Sequence, residues 1–216
     1  MCFMKLKNNI TLDNILASIE SSYKKKFSKQ QIKELLEGYK EDVEIRAYAD
    51  PSISDLIMCS LRYSLLEFGN PNNYEKFRKR VVKYIKDGYC MGQVTELANG
   101  LLSGVDVSLY EDLSLNGLAM SIIRKNLERG VDVSSYTRER FYMSQVEEIA
   151  AGLRHNLDVS CYANKDFTPQ QMRLIRIGLE EGLDAKQYAD PTLNEYEMNC
   201  RLDELRHPII IGGDSA

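Results

Sequence analysis

Six tyrosines, Tyr48, Tyr74, Tyr110, Tyr136, Tyr162 and Tyr188, follow one another at intervals of 26, 36, 26, 26 and 26 residues. A period of this length makes the chain an array of one small unit, and such an array specifies how neighbours stack while leaving the partner unnamed. The flanking residues keep the same register. With residues 27–51 laid beneath 167–191, Phe27, Ser28, Gln31, Gly38, Tyr48, Ala49, Asp50 and Pro51 fall opposite Phe167, Thr168, Gln171, Gly178, Tyr188, Ala189, Asp190 and Pro191. Further copies start at Ile53, Tyr89, Leu115 and Phe141, and a partial one runs from Leu193 to about Leu205.

Each column of the unit has a physical job. Ser28, Ser54, Asn116 and Thr168 offer short side-chain oxygens to the orphan amides of a helix start. Gln31 and Gln171, three residues on, complete a capping box, and Pro169 takes the first helical position, where its missing N–H costs nothing. Apolar residues at helical spacing follow: Met172, Ile175 and Leu179; Val146, Ile149 and Leu153; Met120, Ile123 and Leu127. Asp42, Gly104, Gly130, Asn156 and Gly182 are types that tolerate the left-handed conformation ending a helix. Beyond them Asp106, Asp132, Asp158 and Asp184 each precede x-x-x-Tyr, the length of a 3₁₀ or single-turn helix with Asp as its cap. A column of Gly38, Gly100, Gly152 and Gly178 lies at the edge of the apolar stripe, where small residues let adjacent helices approach closely.

The fold expected is therefore all-α: an α-solenoid of repeats, each a long α-helix followed by a one-turn or 3₁₀ helix with a buried Tyr ring, and no strand outside the tail. One unit has too little area for a core of its own, so stacking must supply it. Residues 1–26, with Thr11, Leu12, Ile15, Leu16, Ile19 and Tyr23 at helical spacing, form an N-terminal capping helix. The array runs over 27–206, irregular at 75–90, and 207–216 is a tail of different character.

The stretch from Gln171 to Asp184, Q-M-R-L-I-R-I-G-L-E-E-G-L-D, continuing to Tyr188-Ala189-Asp190-Pro191, resembles a tandem helical repeat found in uncharacterised proteins of Firmicutes, often on phage or conjugative elements. The resemblance covers residues 27 to about 205; it implies a mobile-element context and no chemistry. The plan of long helix plus short 3₁₀ turn is also loosely similar to the leucine-rich variant repeats, which implies a curved solenoid.

Composition suits a cytoplasmic chain with no membrane span: 44% of residues are hydrophobic and 28% charged, the net charge is −4, and no long apolar run follows the N-terminal lysines. Cys2, Cys59, Cys90, Cys161 and Cys200 are odd in number and scattered, which points to reduced thiols, with Cys90 and Cys161 read as small buried residues. No cofactor is implied. His155 and His207 have no partner at metal-ligand or general-base spacing, His155 beside the helix-ending Asn156 reads as a surface or capping residue, and the glycines form no phosphate loop. The carboxylates of Glu147, Glu148, Glu180 and Glu181 read as solvated charge.

Two features are candidates for function. Where the period lengthens, a truncated copy starting at Phe77 keeps Val82, Ile85 and Gly88, loses its short turn, and carries Lys76, Arg78, Lys79, Arg80, Lys83 and Lys86, a basic face for phosphates or an acidic protein. Its plain alternative is a solvated helix at a bend. The second is the column Arg62, Arg124 and Arg176, alternating with Leu36, Ala98 and Ala150, which either pairs with a neighbouring unit's Asp or helix end or faces a ligand. The expected function is a non-catalytic protein-interaction solenoid with a macromolecular partner, its oligomeric state open. The alternative is a nucleic-acid-associated or anti-defence factor, with residues 1–108 at 16 Lys+Arg against 14 Asp+Glu and residues 109–216 at 12 against 18. A net charge of −4 argues against a dedicated nucleic-acid binder.

Overall fold

The computed structural model describes residues 12–23 and 25–207, and among them holds ten α-helices, four 3₁₀ turns and no strand. The helices are α1 (Leu12–Tyr23), α2 (Lys29–Lys40), α3 (Asp55–Phe68), α4 (Tyr74–Lys86), α5 (Met91–Ser103), α6 (Gly117–Leu127), α7 (Ser134–Arg138), α8 (Met143–Arg154), α9 (Pro169–Glu180) and α10 (Glu195–Arg206). The 3₁₀ turns are Ile45–Ala47, Val107–Leu109, Val159–Cys161 and Ala185–Gln187. Of the tail expected over 207–216, only His207 lies within the described residues.

The chain divides into two compact units, residues 1–124 and 125–216. In the first, α3 packs between α2 and α5, while α4 lies against α5 and the Ile45–Ala47 turn. In the second, α8, α9 and α10 pack in chain order.

Local chemistry explains the elements. Ser28, Ser54 and Thr168 accept the amide three residues on, as does Asn116 through its side-chain oxygen at 2.9 Å, so each helix start is satisfied. Asp42 and Asn156 end their helices at φ of 60° and 55°. Asp106, Asp132 and Asp158 cap the short turns by accepting the amides of Ser108, Ser134 and Ser160 at 3.0, 2.8 and 3.0 Å. In the apolar stripe Met120, Ile123, Val146, Ile149, Met172 and Ile175 are buried, whereas Leu127, Leu153 and Leu179 are half-buried as their helices end.

Four copies share a device built from Gln, Gly and Tyr. Tyr48, Tyr110, Tyr162 and Tyr188 are buried just after a 3₁₀ turn, and each hydroxyl donates to the carbonyl fourteen residues upstream, of Glu34, Glu96, Glu148 and Leu174, at 3.1–3.4 Å. The glycine column is their seat. A Cβ on Gly38, Gly100, Gly152 or Gly178 would stand 1.8–1.9 Å from that hydroxyl oxygen. This corrects the expectation of helix-to-helix approach: the space goes to the unit's own tyrosine. Gln31, Gln93, Gln145 and Gln171 accept the amide at the start of their own helix through Oε1. Their Nε2 donates to two carbonyls 20 and 22 residues downstream, where the next copy begins, at 2.6–3.3 Å.

Tyr74 and Tyr136 depart from the column. Tyr74 opens α4 half-buried, its ring 4.5 Å from the Arg46 guanidinium carbon, and Tyr136 sits half-buried in the single α-turn α7, edge-on to Phe141 with centroids 5.7 Å apart. Their copies place Ser64 and Asn126 where the others have glycine, so neither hydroxyl has a seat. The lost short turn belongs to the Ile53 copy, whose α3 runs through Gly69 and a short loop into α4. On α4 the buried residues are Phe77, Val81 and Tyr84, while Val82 and Ile85 are half-buried, which shifts the expected core face by one residue. Cys90 is exposed at the head of α5 and Cys161 half-buried, not the buried thiols expected, because both occupy caps or turn ends.

Candidate functional site

Helix α4 is 13 residues long, and its two faces are chemically opposed. Phe77, Val81 and Tyr84, at i, i+4 and i+7, are buried; Lys76, Lys79, Lys83 and Lys86, at i, i+3, i+7 and i+10, are exposed on the far side. Asn73 caps the start by accepting the Lys76 amide at 2.9 Å, and Lys83 and Lys86 in the last turn complement the helix dipole.

The six basic residues are not equivalent. Arg80 donates to Glu111 at 2.6 Å and to the Tyr84 hydroxyl at 2.7 Å, and those bonds, Glu111 first, raise its pKa. Burial pushes the Tyr84 phenol up to about 12. Arg78 donates to the Arg46 carbonyl at 2.9 Å. Lys83 pairs with Asp87 at 2.7 Å, which raises its pKa, and comes within 3.9 Å of Glu111. Among the described residues, Lys76, Lys79 and Lys86 have no acidic group within ion-pair distance. The face expected of six cations is thus a stripe of four lysines, with Arg80 engaged by Glu111 and Arg78 held by a backbone carbonyl at its side.

The arginine column is a stacking device. Arg62, Arg124 and Arg176 donate through Nε to Glu34, Glu96 and Glu148, each 28 residues upstream, at 3.2, 2.8 and 2.9 Å. Their side chains are 7, 5 and 14% exposed. Arg62 also reaches Glu41 at 2.5 Å; burial works against its charge, but its hydrogen bonds, to Glu41 above all, raise its pKa. The three glutamates escaped sequence reading, although their recurrence 28 residues before each arginine was the signal. Nor are the paired carboxylates simply solvated: Glu148 and Glu180 hold Arg176, and Glu181 holds Arg206. His155 caps α8 and meets Glu180 through Nδ1 at 2.6 Å.

Among the described residues, no group of three His, Cys, Asp or Glu side chains could hold a metal ion, and no helix is long and apolar enough to cross a membrane. No protein-family model, curated protein or solved structure matches the chain.

Proposed function

We propose that this chain is a binding protein without catalytic chemistry: a cytoplasmic repeat scaffold, stacked as a solenoid, that holds the lysine stripe of α4 out to an acidic macromolecule, and to a protein before a nucleic acid. The observation carrying this reading is the exposed row of Lys76, Lys79, Lys83 and Lys86, of which, among the described residues, only Lys83 has an acidic partner. Elsewhere the scaffold uses Glu–Arg pairs to join copies, so unmatched cations on one face are charge left for something else. The net charge of −4 favours a protein partner, since dedicated nucleic-acid binders carry a basic balance. The mobile-element context implied by the repeat resemblance accords with a small partner-binding factor, including one directed against a defence protein.

Capture from host extract, with and without nuclease, tests the reading. The wild-type chain retains a protein after nuclease treatment, and the Lys76→Glu, Lys79→Glu, Lys83→Glu, Lys86→Glu variant loses it while melting at the wild-type temperature. Undiminished capture by the variant would overturn the proposal. Nuclease-sensitive capture, weakening steeply with salt, would move the reading to nucleic acid.

A further inference from the structure

A groove beside the stripe narrows the partner's chemistry. It has a volume of about 570 Å³; Asp50 and Ser52 line it from the loop before α3, and α4 lines it with Arg78, Lys79, Val82 and Lys86 and with the ion pair of Lys83 and Asp87, 2.7 Å apart. Asp50 is 2% exposed and accepts both the amide and the hydroxyl of Ser52, at 2.9 and 2.6 Å, so its carboxylate is turned into its own loop. Arg78 is held in place by the Arg46 carbonyl, with no carboxylate within ion-pair distance among the described residues. Along α4, beside the neutralised Lys83–Asp87 pair, the groove therefore presents a cation, an apolar side chain and a cation, at Lys79, Val82 and Lys86.

Those positions are i, i+3 and i+7, and the two lysines stand two turns apart, a rise of about 10 Å at 1.5 Å per residue. A second helix laid alongside has the same rise, so glutamates two turns apart bracketing a leucine match the row one for one. We infer that the groove docks an acidic amphipathic helix of a partner protein, its carboxylates on Lys79, Arg78 and Lys86 and its apolar side chain over Val82. A phosphate chain fits less well. It brings nothing apolar to Val82, and as it extends past Lys76 it meets Glu75. The inference rests on the proposed function and adds the partner's secondary structure and pattern.

The test uses the full chain and fluorescein-labelled helical peptides. One carries glutamates two turns apart with leucine between them, a second has serine in place of leucine, and an oligothymidylate serves as competitor. Anisotropy titration gives at least ten-fold weaker binding of the leucine peptide to the Lys79→Glu, Lys86→Glu variant, several-fold weaker binding of the serine peptide to wild type, and no displacement by oligothymidylate. Equal binding of the two peptides, indifference to the double substitution, or displacement by oligothymidylate overturns the inference. If the peptides fail while the four-lysine variant still loses its captured protein, the groove assignment falls and the proposed function stands.

Discussion

The copies beginning at Phe27, Tyr89, Phe141 and Phe167 carry Gln, Gly and Tyr in fixed places, whereas those at Ile53 and Leu115 have Ile57, Ser64 and Tyr74, and Ala119, Asn126 and Tyr136. In the first group the tyrosine is buried and its hydroxyl bonded; in the second it is half-buried, with a different short element or none. The three residues behave as one device. Glycine gives the hydroxyl its seat, the hydroxyl ties the turn to the long helix, and glutamine ties the unit to the loop that starts the next. Where the device is missing, the repeat is broken: α4 follows the Ile53 copy, and the boundary between the two compact units, after Arg124, falls inside the Leu115 copy.

The largest test of this contrast is alkaline titration. Burial raises the phenol pKa of Tyr48 and Tyr162 and pushes that of Tyr188 up to about 12 from an ordinary 10.0. A folded-state pKa above the unfolded one contributes stability that is complete below pH 10.0 and lost as pH rises towards about 12. Helical circular dichroism should hold to about pH 10 and collapse between there and about 12, together with the rise in tyrosinate absorbance. Collapse well below pH 10 would show that the buried phenols do not govern it.

Side-chain truncation comes next. Tyr162→Ala should cost on the order of 3 kcal/mol, in the range for a buried aromatic, and Tyr136→Ala roughly half that; equal losses in urea denaturation would erase the distinction between the two groups. Gly152→Ala inverts a familiar sign: alanine in a helix usually gains up to about 1 kcal/mol, but here it should lose about 2 by expelling the Tyr162 hydroxyl. Tyr162→Phe should recover much of that loss in the double variant, whereas simple additivity would mean that glycine and hydroxyl do not meet. Gln145→Leu, which leaves two carbonyls without their donor, should cost about 1–2 kcal/mol. The smallest effect is a gain: nothing lies within 4 Å of a Cβ on Gly92, so Gly92→Ala should stabilise by a few tenths to about 1 kcal/mol.

Much of this was legible in the sequence, because caps, stops and apolar spacing are local. Ser28 with Gln31, Asn156 at a helix end and Asp158 before Tyr162 announce their roles within a few residues. What escaped was non-local. A helical wheel places Gly152 at the edge of the stripe but cannot say that a tyrosine ten residues on will point into it, so the glycine column took on the wrong neighbour. The two odd tyrosines could have been separated from the other four, since Ser64 and Asn126 were visible where glycine was needed. At α4 the charges were plain, but the inward turn of Arg80 depends on Glu111, 31 residues away.

The glutamine bond has one more consequence. Its amide engages main-chain oxygens, which every residue supplies, so the coupling accepts any successor; the Glu–Arg pairs, by contrast, fit only a successor that carries arginine. Leu174 and Leu202, both buried, occupy the corresponding places at the last joint. One joint is universal and the other is keyed, so duplicated copies can lengthen such a chain in frame while the keys fix which copy may stand behind which.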